Sequence, residues 1–348
     1  MVFLIFVFIG RESLPVFLGK TDTATAKFIP VDQMDHLTPE QLRQYLLLSP
    51  AEFKGKSREF LRHKMELREE EAKESGDNKD AAINTTRWRY MLRPYQWSDY
   101  NRPEFIWQPR GEIQKFNIIP LVVGSLKVTT VALLISVPLS LAAAIFVSQL
   151  CPVRIRELIK PGIELLAGIP SVVLGFFALN VMAGVLQGIF HYRSALNALL
   201  AGAALGLAVV PVVFSIAEDA LTSVPRSYVQ AALALGSSRW QAAWQVVVPA
   251  AVPGIFAAIV LGFGRAIGET MIVLMASGNA GVMSWSLLDS ARTITATIAA
   301  ELGEAVQGSP HYRVLFMIGV LLFVVTFLSN LAGELVMQRL KGRLEGKR

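Results

Sequence analysis

With 348 residues, 53% of them hydrophobic and 17% charged, the chain is too apolar for a soluble domain of its size. The net charge of +6 is modest, and outside one polar stretch the basic residues fall in short loops and at the C-terminus, which argues against a nucleic-acid-binding surface. A single cysteine, Cys151, excludes an internal disulfide and a thiolate metal cage, and none of the four histidines (His36, His63, His191, His311) lies within an apolar run, so no intramembrane histidine relay is expected.

Residues 1–9 are apolar and give way to Gly10-Arg11-Glu12. Nine helical residues rise about 14 Å against a bilayer core of about 30 Å, so residues 1–18 are expected to hold the tail of a first transmembrane helix whose beginning is missing. Residues 19–115 form a polar insert carrying about half of the chain's Lys/Arg and more than half of its Asp/Glu. Within it, Thr38-Pro39-Glu40-Gln41 predicts a helix start: a capping threonine, proline at the first helical position and glutamine at the capping-box position. A second helix is expected from Ser49-Pro50 to near Gly76, its mixed charges forming a solvated face. The segment from Trp88 to Trp107 is aromatic and basic, and beside a bilayer such rings are expected to rest at the interface.

Five apolar spans follow, at about 128–150, 162–190, 195–217, 250–276 and 314–337, each long enough to cross with some tilt. Pro138, Pro170, Pro211 and Pro253 lie inside four of them, and Ala201-Gly202-Ala203-Ala204 and Gly264-x-x-x-Gly268 are small-residue faces for close helix contact. Arg154, Arg156 and Lys160, then Arg226 and Arg239, then the basic tail 341–348 (Lys341, Arg343, Lys347, Arg348) place three alternate loops in the cytoplasm by the positive-inside rule. The insert and the loop at 277–312 are then extracytoplasmic. The expected architecture is an all-α, multi-pass membrane protein of about six transmembrane helices, with the insert at 19–115, a membrane domain at 116–340 and a cytoplasmic C-terminus.

Two constellations carry chemistry. In the loop at 218–249, Gln230-Ala231-Ala232, three residues, Gly236, nine residues, and then Val246-x-Val248-Pro249 describe a short helix, a glycine turn and a second amphipathic segment. Alanines let a partner surface approach closely and the glycine permits the turn. In the fourth span, Arg265 and Glu269 are four residues apart, which on a continuous helix shares one face. Charges in a membrane are costly and mark transport paths or paired packing contacts. A guanidinium is always charged and its planar fork suits an oxyanion.

The loop resembles the EAA loop of ABC-importer permeases, with the spacing intact, glutamine in place of the glutamate and valines at the aliphatic positions. Three further phrases are similar to the PstC-type permease of the phosphate ABC importer: 163–173 (IELLAGIPSVV), 265–271 (RAIGETM) and 293–301 (TITATIAAE). The resemblance covers about 116–340 and implies a type I importer transmembrane domain. It implies a substrate path past Arg265, Glu269 and Thr270, and an ATPase-coupling loop carried by Gln230, Ala231, Ala232, Gly236, Val246, Val248 and Pro249. It also implies partners: a PstA-like permease forming a heterodimer, a PstB-like ATPase dimer that binds ATP-Mg, and a periplasmic phosphate-binding protein. The bacterial inner membrane is the implied location. No catalytic residue, metal or directly bound cofactor is expected. Gly19-Lys20-Thr21 mimics the end of a phosphate-binding loop, but the earlier glycine such a loop needs is replaced by Leu14. The insert is longer than the family pattern. Importers of other oxyanions, such as phosphonate or molybdate, and a membrane phosphate-sensing scaffold are the alternatives.

Overall fold

A computed structural model describes residues 2–21, 23, 31–46, 48, 53, 55–74, 80, 83–111, 113–192 and 194–344. The chain divides into two compact units, one comprising 1–123, 281–283 and 297–322, the other 124–280, 284–296 and 323–348.

The first unit begins with helix α1 (Val2–Phe17), which continues through Gly10-Arg11-Glu12 where the apolar run had suggested an end. A 3₁₀ turn (Val31–His36), α2 (Pro39–Tyr45) and α3 (Arg58–Glu74) come next. The expected capping box holds α2: Thr38 N–H donates to Gln41 Oε1 at 3.0 Å and Gln41 N–H to Thr38 Oγ1 at 3.3 Å. The proposed start of the second helix at Ser49-Pro50, and Gly76, lie outside the described residues. Met34, Leu42, Leu46, Leu48, Leu61 and Met65 bury one another in a small core. The charged face of α3 carries an Arg62–Glu66 ion pair of 3.3 Å, exposed and worth little.

The aromatic segment, which opens with the short helix α4 (Trp88–Leu92), places two of its rings in a core rather than at a surface. Trp97 and Trp107 are buried, and Tyr95 sits edge-on to both Tyr90 and Trp97. The Lys115 ammonium lies 5.1 Å from the Trp97 ring centre. Aromatic rings satisfy a core as readily as an interface, and composition alone does not separate the two. Short strands β1 (Trp107–Gln108) and β2 (Lys115–Phe116) pair antiparallel. They carry Trp107 to Glu301, at the end of α14 (Ile294–Glu301), whose carboxylate accepts from Trp107 Nε1 at 3.1 Å. His311 Nε2 lies 2.9 Å from the same carboxylate, so the buried acid is met by two ring nitrogens. Outside the spans, burial and the hydrogen bond donated to Asp80 push the Tyr95 phenol above its ordinary pKa.

The second unit holds most of the apolar helices, with the first and last of them beginning in the first unit. Five described helical stretches are long and apolar enough to cross a bilayer: Ile119–Leu150, Ser171–Phe190, Ala198–Thr222, Arg239–Gly268 and Pro310–Arg339. The first consists of α5 (Ile119–Ile145) and a π turn. It starts before the expected Val128 and so takes in Lys127, a buried cation that donates to the carbonyls of Ser284 and Ser286 at 2.9 and 2.5 Å. The second expected span, 162–190, is two elements. The amphipathic helix α6 (Val153–Leu166) ends before Pro170, and the crossing begins at Ser171 with α7 (Ser171–Phe177), continuing through a π turn into α8 (Ala183–Phe190). Pro170 is the reason: it forces the residue before it out of the helical region and opens the next helix as its cap.

The central helix is α9 (Ala198–Thr222), capped by Asn197, whose side chain accepts from Leu200 N–H at 2.9 Å. Its small residues set its distance from neighbours. A Cβ on Gly202 would lie 2.5 Å from Val131 of α5, so the Ala-Gly-Ala-Ala face is a true contact. At the other small-residue face, Gly264 approaches Asn330, whereas Gly268 has no such neighbour. The last helix, α15, runs Pro310–Leu344.

Gly202→Val is expected to lower the thermal midpoint of the detergent-solubilised protein, since overpacking a close contact costs about 1–3 kcal/mol. Gly188→Ala, on α8 with nothing near the added methyl, is the matched control expected to leave it unchanged or higher.

Candidate functional site

The helix–turn–helix expected at 226–249 is present and its turn is encoded locally. Helix α10 (Arg226–Ala234) ends in a Schellman motif: Gly236 stands at φ +88°, its N–H donates to Leu233 O at 3.0 Å, and Ser237 N–H donates to Ala232 O at 3.1 Å. Ser238 then caps α11 (Arg239–Ala242) in a reciprocal box with Gln241. The backbone is thus held on both sides of the turn, and the unit is stiff.

A π turn at Ala243–Val247 joins α11 to α12 (Val248–Gly268). The continuous apolar helical stretch thus begins at Arg239, eleven residues before the expected Ala250. Gln230 and Ala231 are exposed, Ala232 is buried, Val246 and Val248 are half-buried, and Pro249 is exposed at the start of α12. Large apolar side chains are exposed on this unit: Leu235 is 89% exposed, and Tyr228 and the stacked rings of Trp240 and Trp244 are exposed as well.

The second expected feature, Arg265 and Glu269 on one helical face, is corrected. Helix α12 stops at Gly268, and Glu269 is extended at ψ 136°. Its side chain bonds backbone instead: Oε1 accepts from the N–H groups of Thr270 at 3.1 Å and Met271 at 3.3 Å, capping α13 (Met271–Ala276). Thr270 is half-buried, and its hydroxyl is 3.4 Å from Gly268 O. A helix start in apolar surroundings leaves donors that must be satisfied, and this carboxylate supplies the acceptor.

Arg265 sits in the last turn of α12, where a cation is favourable to the helix dipole. Among the described residues it forms no ion pair. Leu261, Arg265 and Gly268 are exposed at i, i+4 and i+7 spacing, whereas Gly262, Ala266 and Ile267 are buried. The guanidinium therefore stands on the face of the spanning helix that this chain leaves open.

Two of the three phrases singled out in the sequence, 265–271 and 293–301, meet at this break, and α7, which begins within the third, packs beside it. Thr295 Oγ1 donates to Glu269 O at 2.8 Å. Ser125, Thr129, Thr293 and Thr295 line a narrow crevice with Glu269. Gly175 of α7 packs so closely on α13 that a Cβ there would lie 2.8 Å from Met275 Sδ and 3.2 Å from Met271 O.

Sequence reasoning misses a third charged cluster. Glu218, near the end of α9, is fully buried and paired with Arg156 and with Lys160, the latter at 2.6 Å. Lys160 also reaches Asp219 at 2.9 Å. These hydrogen bonds push the Lys160 ammonium above its usual pKa. A raised cationic pKa stabilises the folded state below the unfolded value and is lost as pH rises through the folded one, so this contribution is constant across neutral pH. The available signal is an adjacent Glu-Asp closing an apolar span.

Residues 136–342 match the family model described as binding-protein-dependent transport system inner membrane component. A probable ABC transporter permease protein, YqgH, of Bacillus subtilis (strain 168) is 39% identical over 64% of this chain and 72% of its own length. The phosphate transport system permease protein PstC of Mesorhizobium japonicum is 36% identical over 68% of this chain and 77% of its own. Among solved structures, a chain of the MetNI methionine ABC transporter in an inward-facing conformation overlaps 64% of this chain and 94% of its own, at 16% identity and a TM-score of 0.49. The family match over more than half of the sequence, and relatives above 30% identity covering over two thirds of their own length, establish that the chain belongs to the binding-protein-dependent transport system inner membrane components, the multi-pass permease subunits of ABC importers.

Proposed function

We propose that this permease carries inorganic phosphate, with Arg265 as the cation of the translocation path. The observation that carries the reading is a guanidinium, unpaired among the described residues, on the open face of an apolar spanning helix. Leaving a permanent charge there is costly unless an anion or water-filled passage meets it, and a planar fork with several donors suits a tetrahedral oxyanion. The relatives named as phosphate permeases support phosphate among the oxyanions.

In this reading the open face of α12 looks toward a second, PstA-like permease, and the path runs between the two. The knob around Gly236 docks on a PstB-like ATPase dimer, which holds ATP-Mg, and a periplasmic phosphate-binding protein delivers the substrate. The coupling loop and the C-terminus are cytoplasmic, as Arg226, Arg239 and the basic tail suggest. Gln230, Ala231 and Ala232 line the docking helix, and Val246, Val248 and Pro249 start the helix that moves. Glu269 and Thr270 shape the break beside the path, with the carboxylate holding backbone rather than neutralising Arg265.

In cells whose other phosphate importers are deleted, the chain expressed with its co-encoded partners should support labelled-phosphate uptake that unlabelled phosphate competes away and molybdate or a phosphonate does not. Arg265→Gln is expected to cut that uptake at least about tenfold while the complex still co-purifies, as befits loss of a charge-assisted contact. Competition by molybdate or phosphonate instead would reassign the substrate. Full uptake by Arg265→Gln would remove the residue from the path.

Gly236→Ala places a side chain at positive φ, a strain of about 1 kcal/mol in the turn. Weaker capture of the ATPase on the immobilised permease is the expected result, with Gly236→Asn milder because asparagine tolerates that conformation.

A further inference from the structure

We infer that Glu218 is a positioning residue that transmits movement of the coupling loop to the helix break beside Arg265. The inference rests on the reading of this chain as the permease of an ATP-driven importer. It begins with a helix whose polarity is turned inward. Arg156, Lys160 and Glu164 recur every four residues on α6, so they share one face, and that face lies against α9. Arg156 and Lys160 clasp the two oxygens of Glu218, and Ser215 Oγ lies 3.5 Å from Glu164 Oε1. Ile159 and Ile163 pack on the core between them, while Leu158 and Leu165, on the other side, are each 76% exposed.

A fully buried carboxylate held by two cations is a poor device for stability alone, because a well-packed apolar group commonly serves as well. Its distinguishing property is geometric: it fixes α6 to α9 in one register. The place of that clamp in the chain matters. Helix α9 ends at Thr222, and α10, the docking helix, begins four residues later at Arg226. Helix α6 is remote from the coupling loop in sequence and leads through Pro170 into α7. In turn α7 lies against α13 at Gly175, and α13 starts at the Glu269-Thr270 break. A contiguous route therefore runs from α10 through Glu218, α6 and α7 to the residues beside Arg265. Apolar packing of Ile159 and Ile163 also joins α6 to the core around α9, but the clamp is the directional hold, fixing two cations of the α6–α7 arm on one carboxylate of α9.

The test uses the assembled complex reconstituted in vesicles. With Glu218→Gln, ATP hydrolysis is expected to stay within about twofold while labelled-phosphate uptake falls on the order of tenfold, so that more ATP is spent per ion moved. The exchange Glu218→Arg with Arg156→Glu, which restores an opposite-charge pair, should recover most of the native ratio. A second measurement does not depend on the substrate. Spin labels at Leu158→Cys on α6 and Ser227→Cys on α10, in a Cys151→Ser background, should keep one separation with and without ATP in the native complex and lose that constancy in Glu218→Gln.

A native separation that changes with nucleotide would overturn the relay. So would a Glu218→Gln complex that keeps the native ratio of uptake to hydrolysis, or one in which both fall in parallel. If Glu218→Gln fails to assemble, Arg156→Gln with Lys160→Gln removes both cations that hold Glu218 and is read by the same two measurements, and native values there overturn the proposal. No phosphate uptake by the native complex, with the label separation still fixed by Glu218, would count against phosphate as substrate and in favour of the relay.

Discussion

Backbone groups in an apolar environment must be paired within the protein, and the second half of this chain depends on how that requirement is met at residues 268–271. An uninterrupted helix from Val248 to Ala276 would have satisfied it trivially. Instead the helix stops at Gly268, and the Glu269 carboxylate takes the free N–H groups of the next short helix. Thr295 secures the Glu269 carbonyl, and Gly175 lets α7 approach α13. Because Glu269 is committed to the backbone, Arg265 is left unneutralised on an open face. The break thus explains both why an arginine and a glutamate stand close in sequence and why they do not pair.

The same economy governs the turn at Gly236. A Schellman motif and a capping box meet there within three residues, so the turn is held by its own hydrogen bonds and can present an apolar tip such as Leu235 without collapsing around it. The stiffness suits the proposed role of this turn as the part that receives force from the ATPase. The buried Glu218 clamp lies just upstream on α9, and a soft turn beside a rigid clamp would dissipate movement rather than pass it on.

Much of this architecture is legible in the residues. The spacing around Gly236 predicts the helix–turn–helix because glycine and serine state their conformations locally, and Thr38 and Gln41 do the same for α2. Long apolar runs give the crossings, but not their ends. Gly162 to Leu166 reads as one run with the apolar residues 171–190, and the turn before Pro170 is needed to separate α6 from α7. Likewise Gly268-Glu269-Thr270 is a stop and a cap hidden in an apolar stretch, visible only if the glycine is read as a helix end. Glu218 and Lys127 escape sequence reasoning because each sits at the margin of a span, where a charge is ordinarily solvated; their burial depends on loops and helices distant in sequence. The aromatic segment reads as interfacial because nothing local says which rings will meet each other.

The measurement that tests the central account most directly is accumulation of labelled phosphate in vesicles holding the purified permease pair, the ATPase and the binding protein, with ATP confined to the side of the coupling loop. The account predicts accumulation above the external concentration that requires both ATP and the binding protein. Phosphate that merely equilibrates without ATP, or an ATP-driven accumulation of a different oxyanion while phosphate is ignored, would contradict it.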